Sequence, residues 1–287
     1  MCRTRRTHRG GCADMKRLLM ASAMTLIAAA LLPTEAAADL TAGLVAYFPL
    51  DEGSGAVAGD ATGNVPDGEM IGGAQWDSAT KKAGASAVTF DGSSGLIEFE
   101  PFDVEGSGIT LAAWIQPESF GIGDGRIITK ANEWLADDHW WMFSTIDGNV
   151  LRFRLKTDDG QAVPTLIATN LGDPLKVGQW HHVAATWDGA DMKLWQDGAE
   201  VGALPKGGDK VAVDDGVKVA IGSQPTDAFA ADAARVKKYF HGTIDDVVIY
   251  SRALDEGEIG DLAGGLSPDL AVDPRGKLAT AWGTLKR

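Results

Sequence analysis

The sequence predicts an all-β fold, an antiparallel two-sheet β-sandwich with one short C-terminal helix. Three observations predict it: a long series of short apolar or alternating runs, turn signals between them at roughly ten-residue spacing, and almost no helical periodicity. Asp91-Gly92, Asp147-Gly148, Asp188-Gly189 and Asp197-Gly198 supply turns, as do Gly72-Gly73 and Gly207-Gly208. The 36 glycines suit that many tight turns, because glycine takes positive φ without steric cost.

In chain order, residues 1–38 read as an address and not as structure. Met15-Lys16-Arg17 is basic, Leu18 to Leu32 is apolar, and Pro33 to Ala38 ends in small residues, with Ala36 and Ala38 placed for a cut before Asp39. That layout predicts a cleavable signal and an exported chain, secreted, periplasmic or at the cell surface. A start at Met15 gives the more typical signal, and the apolar run is shorter than the about twenty residues of a membrane span. The runs Leu44–Leu50, Ser86–Phe90, Leu96–Glu100, Ile109–Gln116, Arg126–Ala131, Trp140–Ile146, Val150–Lys156, Thr165–Thr169, Trp180–Trp187, Met192–Gln196, Val217–Ile221 and Gly242–Tyr250 predict strands. Asp255–Ala263 predicts the helix, with acids at its start and Ile259 and Leu262 three apart. Residues 39–265 are thus expected to form one domain, and 266–287 a tail whose basic, amphiphilic end is either a docked or disordered terminus or a signal for export or attachment.

Charge narrows the partners. The chain carries 26 Lys and Arg against 40 Asp and Glu; residues 1–38 hold six and two of these, leaving 20 against 38 and a formal charge of −18 beyond the cut. Nucleic acid needs clustered basic residues and is not expected as a partner. Both cysteines, Cys2 and Cys12, precede the cut, so residues 39–287 contain no disulfide, thiolate nucleophile or cysteine zinc site.

The stretch GQWHHVAATWDGADMKLWQDGAEVG from Gly178 concentrates two adjacent histidines and three tryptophans. Alternation puts Trp180, His182, Ala184 and Thr186 on one face and His181, Val183, Ala185 and Trp187 on the other, so the histidines diverge and cannot grip one ion together. Apolar residues on both faces predict a strand inside a sheet, followed by two Asp-Gly turns. The stretches LVAYFPLDEGSG from Leu44, DATGN from Asp60, VTFDG from Val88, ITLAAWI from Ile109, GQWHHVA from Gly178, KLWQDG from Lys193 and GTIDDVVIYSRAL from Gly242 together resemble the laminin-G-like modules of the concanavalin A-like jelly-roll superfamily, in the form common in exported bacterial proteins. The resemblance spans residues 43–263. It implies two stacked antiparallel sheets with the first and last strands side by side, and a structural Trp-His-His strand; it says little about the ligand, because this architecture hosts unrelated functions.

Candidate sites follow from residue chemistry. No Glu-x-Asp-x-x-Glu strand, nucleophile elbow or phosphate loop occurs, and Glu98, Glu100 and the acids of 255–261 read as surface carboxylates, so no catalytic residue is expected. The resemblance implies calcium, for which Asp60, Asn64, Asp245 and Asp246 are the candidate oxygen ligands; the alternative is that Asp60 and Asn64 only stabilise a turn and Asp245 or Asp246 a sheet edge. Trp134, Asp137, Asp138, His139 and Tyr239 lie in long connections and are either a rim that stacks on and hydrogen-bonds a sugar, or packing residues. The expected function is a secreted, non-catalytic module that recognises extracellular carbohydrate or a glycoprotein. A protein-binding adhesion or structural module of the bacterial envelope is the alternative, and a polysaccharide hydrolase or lyase stands third.

Overall fold

The computed structural model describes residues 40–120, 124–132, 136–147, 149–169, 173–227 and 238–265. Residues 1–38, where an export signal is expected, residues 266–287, the expected tail, and Trp134 lie outside the described residues. The strands are β1 (Leu44–Phe48), β2 (Val57–Ala58), β3 (Gly68–Ile71), β4 (Gln75–Asp77), β5 (Ala87–Asp91), β6 (Leu96–Phe99), β7 (Ile109–Pro117), β8 (Arg126–Ala131), β9 (His139–Ile146), β10 (Val150–Leu155), β11 (Thr165–Ile167), β12 (His181–Trp187), β13 (Asp191–Gln196), β14 (Ala199–Pro205), β15 (Val219–Ile221) and β16 (His241–Tyr250), followed by helix α1 (Glu256–Ala263).

They form two antiparallel sheets. Sheet A runs β14-β13-β12-β7-β16-β5-β4, with β1 also paired to β16; sheet B runs β11-β10-β9-β8-β15-β6-β3-β2. The first and last strands lie side by side, with Tyr47 opposite Val248 and Phe48 opposite Val247. The chain crosses repeatedly between the sheets, so each strand buries one face against the other layer. Phe48, Phe90, Leu111, Val183, Trp187 and Ile249 of sheet A meet Phe99, Ile128, Phe143, Phe153 and Ile221 of sheet B in one core. Phe48 and Phe99 bridge the layers with ring centroids 4.5 Å apart. Gly222, at φ +82°, leaves β15 where a Cβ would run into the Phe90 ring, so a glycine is required there.

A second apolar layer covers the outer face of sheet A. Ile259 and Leu262 of α1 pack on Tyr47, Ala112, Ala184, Trp195, Val248 and Tyr250, and burying each stabilises by about 2 kcal/mol. Asp255 caps the helix through a capping box with Glu258. The expected twelve runs all contain strand, and the helix falls where its pattern puts it. Three expectations shift: Leu50 leaves β1 at φ +57°, Trp180 precedes β12, and β2, β3, β4 and β14 are additional. The first three of these are two to four residues long, and β14 is an edge strand containing Gly202 and ending at Pro205, so none carries a clear alternation.

Candidate functional site

The paired histidines are structural. His181 Nε2 accepts from the Lys176 N–H at 3.0 Å, which leaves Nδ1 to donate to Asp197 Oδ2 at 2.7 Å. The other Asp197 oxygen accepts from the His182 N–H at 2.9 Å. Asp197 itself, at φ +52°, opens the turn between β13 and β14, so one carboxylate ties both histidines to a hairpin. His182 stacks edge-on against Trp114 on the outer face of sheet A, with centroids 5.4 Å apart. Burial pushes its pKa down to about 4, so it stays neutral at physiological pH.

The four candidate calcium ligands are engaged in hydrogen bonds within the protein. Asp60 accepts from Tyr47 N and Thr62 N on Oδ1 and from Thr62 Oγ1, Asn64 N and Val65 N on Oδ2, at 2.6 to 3.1 Å. Five donors saturate a carboxylate, which offers about four lone-pair directions. Asn64 is exposed and its Nδ2 donates to Leu44 O and Val45 O. Asp245 accepts from the backbone N–H of Lys82, Ala83 and Asp246. Asp246 accepts from the Tyr47 hydroxyl, and only its Oδ2 is uncommitted. Calcium takes six to eight oxygens, so a cation here has to draw on backbone carbonyls and water or displace donors already bound. Among the described residues no group of three His, Cys, Asp or Glu is arranged to hold a metal.

The described rim candidates, Asp137, Asp138, His139 and Tyr239, do not gather at one place. Asp137 and Asp138 lie on a 3-10 turn at Ala136–Asp138, immediately before His139. His139 is fully buried, opposite Ala131 at the end of β8. Tyr239 is half-buried beside Lys238, whose carbonyl accepts from the Arg126 N–H at the start of β8. Asp137 to His139 and Tyr239 therefore sit at opposite ends of that strand. Trp140 and Trp141 are both buried, Trp140 being the extra residue of a bulge opposite Lys130 and Ala131.

What the structure assembles is a polar cluster on the outer face of sheet B that the sequence reading passed over. Arg126 and Arg152 flank Ser144 in register across three neighbouring strands, and Thr129, Met142 and Arg154 form the next row. Asp124 Oδ1 lies 2.6 Å from Arg152 Nη2, and its Oδ2 lies 3.4 Å from Arg126 Nη2. The shorter pair is an ion pair without hydrogen-bond alignment, since Asp124 Oδ1 has no hydrogen-bond partner. Arg126 Nη2 also approaches His139 Nε2 at 3.4 Å. Arg126 is 3% exposed and Arg152 8%, yet Arg126 Nε and Nη1, Arg152 Nε and Ser144 Oγ have no hydrogen-bond partner. Burial pushes the Arg126 pKa down to about 9; Asp124 opposes the shift, and Arg152 and Arg154 add to it. Arg154, half-buried, is lowered by burial and by Arg152. The sequence signal was the alternation in Val150–Leu155, which sends Leu151, Phe153 and Leu155 inward and both arginines to the other face.

Comparison with known proteins agrees with this architecture. Domain 4 of AbnA, an extracellular arabinanase of Geobacillus stearothermophilus solved in complex with arabinotriose, is similar at 22% identity and TM-score 0.56, covering 77% of this chain and 98% of that domain. The binding domain of Paraclostridial Mosquitocidal Protein 1 is similar at 17% identity and TM-score 0.57, over 78% of this chain. The receptor-binding domain of botulinum neurotoxin C/D mosaic serotype is similar at 14% identity and TM-score 0.56, over 79% of this chain. The chain spans 52% of each of those two. No curated protein matches it. A laminin-G family model described as the Concanavalin A-like lectin/glucanases superfamily matches residues 91–260, which contain β6 to β16 and the start of α1. With its two antiparallel sheets and neighbouring terminal strands, the chain belongs to that superfamily.

Proposed function

We propose that the chain is a non-catalytic carbohydrate-binding module whose ligand sits on the outer face of sheet B. The observation that carries this reading is the set of buried donors there, Arg126 Nε and Nη1 and Arg152 Nε, which lack intramolecular acceptors. Leaving such groups unsatisfied costs on the order of 1–3 kcal/mol each, and a hydroxyl-rich ligand that displaces what covers them supplies acceptors. The likeness to an arabinanase domain solved with arabinotriose supports a sugar as that ligand. An export signal at 1–38 fits a glycan met outside the cell.

The test is an oligosaccharide panel read by calorimetry on the intact chain, Arg152→Gln and Trp134→Ala. Saturable binding without turnover, lost in Arg152→Gln, is expected. Loss in Trp134→Ala alone moves the site to the rim. Turnover of any polysaccharide refutes a non-catalytic module, and binding only to proteins favours adhesion.

A further inference from the structure

We propose that the chain carries a further sugar site, separate from the face of sheet B: an open cleft, formed where the segment after β10 meets the segment after β14, that takes a short neutral sugar. The cleft has a volume of about 440 Å³; Asp159, Gln161 and Pro164 line it from the first segment and Pro205, Lys206 and Gly207 from the second. Small-ligand sites run from about 300 to 1,000 Å³, so there is room for a sugar. The two segments are fixed to each other. Thr157 pairs with Val211 in an isolated bridge, Asp158 N donates to Lys210 O at 3.1 Å, and Lys210 N donates to Asp158 Oδ1 at 3.1 Å. The Trp187 indole N–H donates to the Lys206 carbonyl at 2.6 Å, which ties the second segment to the core.

The polar groups of the cleft are set in place before any ligand arrives. Asp159 Oδ1 accepts from the Thr157 hydroxyl at 2.6 Å and from the Gln161 N–H at 3.1 Å, and lies 3.7 Å from Lys206 Nζ. Lys206, buried, donates to Thr157 Oγ1 at 2.7 Å. These bonds orient the Asp159 carboxylate and leave its Oδ2, the Gln161 side-chain amide and the Asp209 carboxylate without a partner among the described residues. The Thr157 hydrogen bond, with burial opposing it and the Gln161 N–H assisting, holds Asp159 below the ordinary carboxylate range, so it is an acceptor at physiological pH. Free acceptors beside an amide that both donates and accepts match neighbouring sugar hydroxyls, each of which does both. Pro164 and Pro205 add apolar surface for the C–H face of a sugar ring. Two carboxylates around one ammonium disfavour an anion, which makes the sugar neutral.

Gly207 is the observation that points to a ligand. Outside α1, it alone among the described glycines combines an ordinary φ with open space where a Cβ would stand. The fold requires its neighbour Gly208, whose Cβ would meet Thr157 at 2.8 Å. Glycine costs backbone entropy on folding, and at 207 neither a positive φ nor a close approach asks for it. A side chain on this lining residue enters space that the cleft leaves open.

The experiment follows the backbone amide NMR signals of Gly207, Gly208 and Gln161 in the full chain during titration with arabinotriose, galactotriose or cellotriose, and with triethylene glycol as a control without neighbouring hydroxyls. At least one sugar is expected to shift these signals saturably, and the glycol is not. Gly207→Tyr fills the cleft and is expected to weaken that binding at least about tenfold with an unchanged thermal midpoint. If Gly207→Tyr does not fold, Asp159→Asn carries the test: it keeps an oxygen for Thr157 and Gln161, sets a donor where the free acceptor stood, and is expected to cost at least about tenfold. Undiminished binding in the folded variant, equal shifts with the glycol, or no shift at these amides with any sugar overturns the cleft. The cleft shares no residue with the arginine cluster, so loss of sugar binding in Arg152→Gln reports on the face of sheet B and these amide signals report on the cleft.

Discussion

The Tyr47 hydroxyl donates to Asp246 Oδ1 at 2.7 Å, linking the first strand to the last across 199 residues. Asp246 sits at φ +48° beside a register shift between Asp245 and Val248, so the bulge turns two successive carboxylates into the protein. Both are buried, and Asp246 Oδ2 has no partner.

This arrangement predicts an unusual pH dependence. Burial, with the Tyr47 hydrogen bond opposing it, raises the Asp246 pKa to about 6, and burial with the neighbouring Asp246 charge raises Asp245 to about 7. Folded pKa values above the unfolded value mean that the folded chain holds protons the unfolded chain has already lost. Stability contributed at these sites therefore falls as pH rises from about 4 to about 7, and stays low above. Asp246→Asn keeps an acceptor for Tyr47, and Asn tolerates positive φ. It is expected to raise stability by about 2 kcal/mol at pH 8 and to converge on the unsubstituted protein near pH 4. Melts from pH 4 to 8 check the difference; equal midpoints at pH 8 refute it.

Asp197 has the opposite sign. Its carboxylate is held below the ordinary range by hydrogen bonds from His181 and the His182 backbone, which overcome the opposing effect of burial. Its contribution is present above the unfolded pKa and fades as pH falls. Asp197→Asn preserves the left-handed turn while setting an amide against the His181 Nδ1–H. A loss of about 1–2 kcal/mol at pH 7 is expected, narrowing toward pH 3. A thermal midpoint unchanged at pH 7 would show that the histidines need no such anchor.

The strands were legible in the sequence because each has a buried face and a turn of its own chemistry. Asp197 and Gly198, at φ +52° and +86°, show the kind of turn that an Asp-Gly pair announces. Trp180 to Trp187 likewise announced its two faces, with Val183, Ala185 and Trp187 in the core and Ala184 under the helix. The arginine cluster was not legible. Arg152 and Arg154 alternate with apolar residues as any solvated strand face does, and what makes Arg126 unusual is its place beside chain far away in sequence, where its N–H meets the Lys238 carbonyl. The bonding of Asp60 was hidden for a related reason: only the folded loop shows that its neighbours' own N–H groups surround it.

Calcium is expected to leave stability unchanged. A cation at Asp60 has to displace five donors, and Asp245 is already held by three backbone N–H groups. A ligand bound only by the folded state at a hundred times its dissociation constant adds about 2.7 kcal/mol. Melts in millimolar calcium and in chelator should therefore coincide. A rise of several degrees with calcium, lost in Asp60→Asn, would mean that these loops rearrange around an ion.

Arg252 fastens the helix to both ends of the domain. Its Nη1 and Nη2 each meet a Glu258 oxygen at 2.7 Å, while Nε donates to the Ala42 carbonyl at 2.7 Å. The pairing lowers the Glu258 pKa, with burial opposing, so this contribution is lost as pH falls below the ordinary carboxylate range. Arg252→Gln breaks the two-point contact but leaves Ile259 and Leu262 on sheet A. The expected loss is about 1 kcal/mol, because the pair is partly exposed and screened. Hydrogen exchange should quicken across residues 255–264 while β12 and β16 keep their protection, since the helix lies on the outer face and the inter-sheet core is untouched. Equal exchange in the variant would show that apolar contact alone holds α1.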